Sequence, residues 1–204
     1  PEGAVLVSEG FYQDSATYGA STDFYITTKA GLMFFSELVN KKITTYQDKS
    51  FDYSSYPFSD KTVNLLVDID LGGEEWTPIG FDYQQGKKQS YAAFDGGSRT
   101  IGNLKVTKFQ TAEAKKYGVG LFGRVGDASA FRDLAFCNVT LKGYEYVASL
   151  FGQAAKTVRV ENVRVTGEVA IEASRFSGIV AGHASGKCEF VGCAVDAAGS
   201  IRTS

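Results

Sequence analysis

The sequence predicts an all-β chain that folds as a single-stranded right-handed parallel β-helix, with turns of about 30 residues and an N-terminal capping helix. Two motifs that recur at the same interval predict the repeat. The composition supports it, because 15 Phe, 11 Tyr and 23 Gly against 3 Pro among 204 residues are typical of short strands joined by tight turns. A β-sandwich with an accidental periodicity is the alternative fold.

The first motif has apolar residues at its first, fourth and sixth positions. It occurs as Ile101–Val106, Phe131–Phe136, Val160–Val165 and Phe190–Val195, at intervals of 30, 29 and 30 residues. A second motif, Gly120-Leu-Phe-Gly123, returns as Ser149-Leu-Phe-Gly152 and more loosely as Gly178-Ile-Val-Ala-Gly182. These segments are too short and too rich in Val, Phe and Gly for helix pairs, so each interval is interpreted as one turn of a β-helix.

Turns that stack about 4.8 Å apart should align equivalent side chains in columns. Two inward columns are predicted: Leu104, Leu134, Val163 and Cys193, and then Val106, Phe136, Val165 and Val195. The third position of the motif predicts one polar corner ladder of Asn103, Asp133 and Asn162, which pass hydrogen bonds from turn to turn.

Residues 1–61 form a different N-terminal segment within the same single domain as the β-helix of residues 62–204. A helix over about residues 28–40 is predicted because Leu32, Phe35, Leu38 and Val39 share one helical face. Solenoids need end caps, so this helix should cover the first turn. The aromatic and polar stretch 44–60 is predicted to be a loop.

The segment Val63–Leu71 alternates between apolar and polar residues and should open the first turn. Its predicted inward residues are Leu65, Val67, Ile69 and Leu71, with Asp68 and Asp70 outward. No comparable cap follows Val195. Because an open strand edge promotes aggregation, we expect the chain to continue past Ser204 or something else to cover this end.

An ordered series of motifs resembles the bacterial GLUG-repeat proteins. It comprises Phe24–Thr28, Leu38–Asn40, Asp68–Leu71, Trp76–Gly80, Phe94–Gly97, Thr100–Leu104 and Gly120–Gly123. Such repeats occur in bacterial surface proteins, including adhesin-like proteins and the non-catalytic regions of IgA-specific metallopeptidases, so the resemblance implies a parallel β-helix and secretion or surface anchoring. It implies no catalytic residues, because the motifs are structural. Two departures are Ala148-Ser149 in place of the usual Gly and an extra residue between Gly178 and Gly182.

Charge and composition argue against several classes of partner. A net charge of −2 without a basic run disfavours nucleic acid, and no apolar run approaches the roughly 20 residues of a membrane span. The three cysteines, Cys137, Cys188 and Cys193, lack zinc spacing and are too few for a complete disulfide framework.

Carboxylates provide the alternative hypotheses of catalysis and metal binding. Asp68 and Asp70 would stand about 7 Å apart on one strand, within the range of glycosidase pairs, although no further acids converge there. Calcium could use Asp68, Asp70, Glu74, Glu75 and Asp95, but their spacing fits no recognised loop. His183, the single histidine, is predicted in a Gly-rich surface turn. We therefore expect no enzyme activity, no cofactor and no metal.

Aromatic residues in the excursions between strands are the candidate binding residues. They are Phe81, Tyr83, Tyr91, Tyr144 and Tyr146, whose rings would stack on sugars or anchor a protein contact if they are exposed. The sequence thus favours an extracellular or cell-surface module that binds a glycan or a host protein. A structural stalk without a ligand and a carbohydrate-active enzyme are the alternatives.

Overall fold

The computed structural model describes residues 5–8, 11–13, 21–40, 45–46, 49–50, 58–81 and 90–203. Its elements within these ranges are, in order, β1 (Val5–Ser8), β2 (Phe11–Gln13), β3 (Asp23–Ile26), α1 (Lys29–Val39), β4 (Thr45–Tyr46), β5 (Lys49–Ser50), β6 (Thr62–Leu65), β7 (Ile69–Asp70), β8 (Ala93–Phe109), a 3-10 helix (Ala112–Lys116), β9 (Phe122–Val125), β10 (Ser129–Gly143), β11 (Phe151–Ala155), β12 (Val158–Glu161), β13 (Arg164–Ala173), β14 (Ala181–Ser185), β15 (Cys188–Val191) and β16 (Ala194–Thr203).

Strands from β3 onward, apart from the short β4–β5 pair, stack in parallel from one turn to the next, which confirms the predicted parallel β-helix. One sheet runs β3-β6-β8-β10-β12-β15. Its continuation around the corners pairs β7 with β8, β10 with β13, and β13 with β16, and a separate sheet runs β9-β11-β14. Equivalent residues are Val63, Phe94, Phe131, Val160 and Phe190, so the turns measure 31, 37, 29 and 30 residues. The ladder begins ahead of residue 62, because β3 already pairs with β6.

The long second turn corrects the predicted inward columns. Ile101 pairs with Phe136, and Leu104 pairs with Val139 instead of joining Leu134. Val106 likewise pairs with Leu141, not with Phe136. The later members remain in phase as predicted: Phe136, Val165 and Val195 pair directly, and the register Ala135–Arg164–Ala194 keeps Leu134, Val163 and Cys193 aligned.

Two polar ladders, instead of one, mark successive corners of the turn. In the first, Asn103 Nδ2 donates to Asp70 Oδ1 at 2.8 Å and Asn138 Nδ2 donates to Asn103 Oδ1 at 3.1 Å. In the second, Asn162 Nδ2 donates to Asp133 Oδ1 at 2.9 Å. The prediction that Asn103 belongs to the ladder of Asp133 and Asn162 is therefore wrong, because the long second turn shifts the pairing of β8 with β10.

The helix α1 covers the core at the first turn, as predicted. Thr28 Oγ1 accepts the Gly31 N–H at 3.0 Å and caps the start of the helix. The apolar face of Leu32, Phe35, Leu38 and Val39 is buried. Phe35 lies 5.1 Å from Phe58 and 6.3 Å from Phe94, measured between ring centroids, and so joins the helix to the column of rings inside the solenoid.

The first turn follows the predicted alternation except at one residue. Leu65, Ile69 and Leu71 are buried and Asp68 and Asp70 are exposed, as predicted. Val67 is exposed, because it lies in the bend between β6 and β7 where the strand alternation is interrupted.

Candidate functional site

The structure separates the five candidate aromatic residues. Tyr91 is completely buried against Phe122 and Phe131, so its predicted exposure is wrong: it closely precedes β8 and already belongs to the core of that turn. Burial raises the pKa of its hydroxyl, which has no hydrogen-bond partner among the described residues. Tyr83 lies outside the described residues.

The other three aromatic candidates are partly exposed. Phe81 packs against Phe109 and Tyr117, with ring centroids 5.6 and 5.3 Å away. The backbone of Tyr144 bridges turns, since its N–H donates to Phe109 O and its carbonyl accepts the Ser174 N–H. Tyr146 is the candidate around which a surface cluster forms.

We call the group Arg124, Tyr146, Gln153, Phe176 and His183 the aromatic patch. The Tyr146 and Phe176 rings are stacked with centroids 5.4 Å apart and planes only 4° from parallel. His183 tilts against both rings at 5.4 and 5.2 Å. The Arg124 guanidinium lies 5.1 Å from the centroid of the Tyr146 ring and donates to Gln153 Oε1. The patch thus combines apolar ring surface with hydrogen-bonding groups.

Parallel register explains why these residues meet. Arg124, Gln153 and His183 occupy equivalent outward positions on β9, β11 and β14. Tyr146 and Phe176 each precede a residue of the bridged pair Val147–Ser177, and therefore stack one turn apart.

The glycines of the second motif bring the ring-bearing segment against the sheet. A Cβ on Gly152 would stand 2.3 Å from Tyr146 O, and one on Gly123 would stand 2.4 Å from Phe81 Cα. Side chains at these positions would push the segment away, since real Cβ atoms essentially never approach backbone so closely. The Gly-Leu-Phe-Gly motif is therefore part of the support for the aromatic patch.

Tyr146 has a backbone conformation that is rare for an aromatic residue. Its φ of 55° lies in the left-handed region, which costs a bulky L-residue roughly 1 kcal/mol or more. Residues outside the patch, such as Ala128 and Lys156, share this conformation, and Tyr146 is the aromatic residue among those described with a positive φ.

Charged groups border the patch. Arg175 lies 5.7 Å from the Phe176 centroid and donates to Glu145 Oε1 at 2.6 Å. This hydrogen bond raises the pKa of the Arg175 guanidinium. The Nδ1 atom of His183 is shielded from solvent and has no partner among the described residues.

The carboxylates considered for catalysis or calcium hold backbone and side chains between turns. Asp68 Oδ1 accepts the Thr100 N–H at 2.8 Å, and Glu75 Oε1 accepts the Thr107 N–H at 2.6 Å. The hydrogen bond from Asn103, followed by that from the Gly72 N–H, lowers the pKa of Asp70. Asp95 pairs with Arg132 at 2.7 Å. Within the described ranges, no group of three or more His, Cys, Asp or Glu side chains is arranged to hold a metal ion.

Four patch residues were not among the predicted site residues: Arg124, Gln153, Phe176 and His183. His183 lies on β14, so its assignment to a surface turn is wrong. A signal for three of them was present, because Arg124, Gln153 and His183 each directly follow the last glycine of the second motif. Phe176 lies one turn, 30 residues, after Tyr146 in the same way.

A groove lies between α1 and the first turn. It has a volume of about 90 Å³ and is lined by Met33, Leu71 and Trp76 together with polar side chains of the helix. Several of those polar side chains already bond within the chain: Ser36 Oγ donates to Thr77 O, and Lys29 bonds Glu74. The groove therefore serves first as the junction between the helix and the solenoid.

Comparisons of the chain with protein-family models, with characterised proteins and with solved structures find no match. The resemblance to GLUG-repeat proteins therefore stays a prediction. In the described part of the chain, no helix is both long and apolar enough to cross a membrane.

Proposed function

We propose that this chain is a non-catalytic carbohydrate-binding module of a bacterial surface or secreted protein, and that the aromatic patch is its binding site. The observation that carries the proposal is the stacked ring pair Tyr146–Phe176, which is bordered by the side chains of Arg124, Gln153 and His183. The backbone of Tyr146 has a positive φ. The exposed parts of these rings provide apolar contact with the C–H groups of sugars, although the faces of Tyr146 are already covered by Phe176 and Arg124. The neighbouring side chains provide hydrogen bonds to hydroxyl groups.

Rigid support favours binding at this place. The patch residues lie on parallel strands or next to bridged residues, so little conformational entropy remains to be lost when a ligand binds.

The carboxylates considered for catalysis accept hydrogen bonds that join neighbouring turns, and this supports a non-catalytic function. General acid–base chemistry needs a carboxyl group that can reach a reacting bond. Asp68, Asp70 and Glu75 instead accept hydrogen bonds from the neighbouring turn.

A glycan array followed by titration calorimetry tests the proposal with a matched pair of variants. Phe176 and Phe190 both lie on the last described turn and are 40% and 42% exposed; Phe176 belongs to the patch, whereas Phe190 is the last residue of the inward column Val63–Phe94–Phe131–Val160. We expect Phe176→Ala to weaken binding of the selected glycan about ten-fold or more, while Phe190→Ala leaves it unchanged. Circular dichroism verifies that both variants fold.

Two results would overturn the proposal: no glycan binds the wild-type chain, or Phe190→Ala and Phe176→Ala weaken binding equally. Binding of a host protein without any glycan would replace carbohydrate by protein as the ligand. Surface location is tested separately, by accessibility of the chain to antibody on intact bacteria.

A further inference from the structure

A second ring cluster lies on the same edge of the β-helix as the aromatic patch. It consists of Phe81, Phe109 and Tyr117, whose ring centroids are 5.0 to 5.6 Å from one another. We call it the lower ring cluster because its residues belong to the first two turns. The rings of the aromatic patch belong to the two turns that follow.

One outward column connects the two clusters. Arg124 N donates to Gly80 O, which places Phe81 directly before Arg124 in the column that continues to Gln153 and His183. The column thus has an aromatic side chain at each end and two hydrogen-bonding side chains between them. At the usual strand spacing, its ends are about 14 Å apart, or three inter-strand steps.

Given the proposed carbohydrate-binding function, we propose that the ligand is a linear oligosaccharide that lies along the solenoid axis and contacts both ring clusters. A single terminal sugar would cover only one cluster. A chain of about four pyranose units, at roughly one unit per strand spacing, covers the four positions of the column and places its two middle units beside Arg124 and Gln153. The regular step of the strands provides one side chain for each unit.

A ligand lying across the strands is the competing geometry. It would meet one turn only and would leave the lower ring cluster without a function in binding. Affinity for that ligand would not depend on Phe81, which is separated from His183 by the turns of Arg124 and Gln153.

Affinity as a function of oligosaccharide length tests the inference. The probes are chito-oligosaccharides and oligogalacturonides of two to six units, titrated into the 204-residue chain. For the series that binds, we expect the affinity to rise about ten-fold or more between two and four units and then to level off. Phe81→Ala should remove this rise and leave the affinity for the disaccharide unchanged, whereas Phe176→Ala should weaken binding at every length.

Two further variants distinguish loss of a ligand contact from loss of folding. Phe81→Leu retains bulk if Phe81→Ala does not fold, and Phe190→Ala is the control for loss of a ring outside both clusters, at the end of the inward column. Equal affinity for two and six units, or a Phe81 variant that binds six units like the wild type, overturns the axial arrangement and leaves the proposed function intact. Absence of binding by both series at all lengths overturns the two proposals together.

Discussion

At the scale of single residues, the corners of the turn depend on asparagine and aspartate. Asn103, Asp133, Asn138 and Asn162 have φ between 52° and 60°, a region in which short polar side chains are tolerated better than others. The same side chains hydrogen-bond to a neighbouring turn. Each corner residue therefore fixes the local bend and the register at once.

Asn138 allows these two contributions to be separated. Its Nδ2 donates to Asn103 Oδ1, its Oδ1 accepts the Glu168 N–H at 3.0 Å, and its φ is 60°. Asn138→Gly loses the two bonds but tolerates the conformation, and should cost about 1–2 kcal/mol. Asn138→Ala loses the same two bonds and also places a residue with a Cβ at a positive φ, so it should cost about 1 kcal/mol more, measured by urea unfolding. Equal stability of the two variants would contradict the argument.

Tyr91 predicts an unusual alkaline response. Burial raises the pKa of its hydroxyl in the folded state, whereas an unfolded tyrosine ionises near 10. The folded state therefore retains a proton that the unfolded state releases, and stability that is fully present below pH 10 falls above it. We expect Tyr91→Phe to escape this loss. The unfolding free energy of the variant minus that of the wild type should therefore rise by about 1.4 kcal/mol per pH unit above pH 10.

The same substitution has a second expected result at neutral pH. Because the buried hydroxyl has no partner among the described residues, Tyr91→Phe should be neutral or stabilising by about 1 kcal/mol. A loss of more than about 1 kcal/mol in thermal or urea unfolding would show that the hydroxyl does have a partner.

At the scale of elements, the second motif is explained by contact between a strand and the segment that precedes it. Gly152 on β11 faces the backbone of Tyr146, whereas Gly102 has nothing closer than 3.9 Å to an added Cβ. Neither glycine has a positive φ, so the two positions differ mainly in the room available for an added Cβ.

The pair Gly152→Ala and Gly102→Ala tests this contact. We expect Gly152→Ala to cost at least about 2 kcal/mol, because a backbone segment has to move, and Gly102→Ala to change stability by less than about 0.5 kcal/mol. Gly152→Ala should also weaken glycan binding, since the displaced segment carries Tyr146. Similar stabilities of the two variants would show that the motif glycines have no packing function.

The sequence predicts which elements form better than it predicts which residues of neighbouring turns pair with each other. The helix was evident from Leu32, Phe35 and Leu38 at helical spacing, and the repeat from the strand motif. The register was not, because Phe131–Phe136 and Phe136–Leu141 share one apolar pattern, with Asp133 and Asn138 at the same position. Only the 37-residue second turn selects between them. The site was missed for another reason. Arg124, Gln153 and His183 recur in phase with the second motif, but their contact with Tyr146 and Phe176 depends on how two segments of each turn fold against each other, which the spacing does not show.

At the scale of the whole molecule, the first turn and the last described turn differ in how their apolar side chains are covered. The first turn is covered by α1, whereas the last described turn exposes apolar side chains whose equivalents one turn earlier are buried. Val165 and Ile171 are almost inaccessible, and their partners Val195 and Ile201 are each 46% exposed. Stability in a solenoid is approximately the sum of turns and of interfaces between neighbouring turns, so local stability should fall toward β16.

Ile171 and Ile201 measure this gradient with one chemical change. They are paired on β13 and β16, so that truncation removes the same atoms one turn apart. In the 204-residue chain, Ile171→Ala should cost about 2–5 kcal/mol, because it opens a cavity between two turns, and Ile201→Ala should cost about 1 kcal/mol or less. Hydrogen exchange should show the amides of β16 as less protected than those of β13. If a second copy or another partner covers this end, Ile201→Ala will instead cost as much as Ile171→Ala, and its effect will depend on protein concentration.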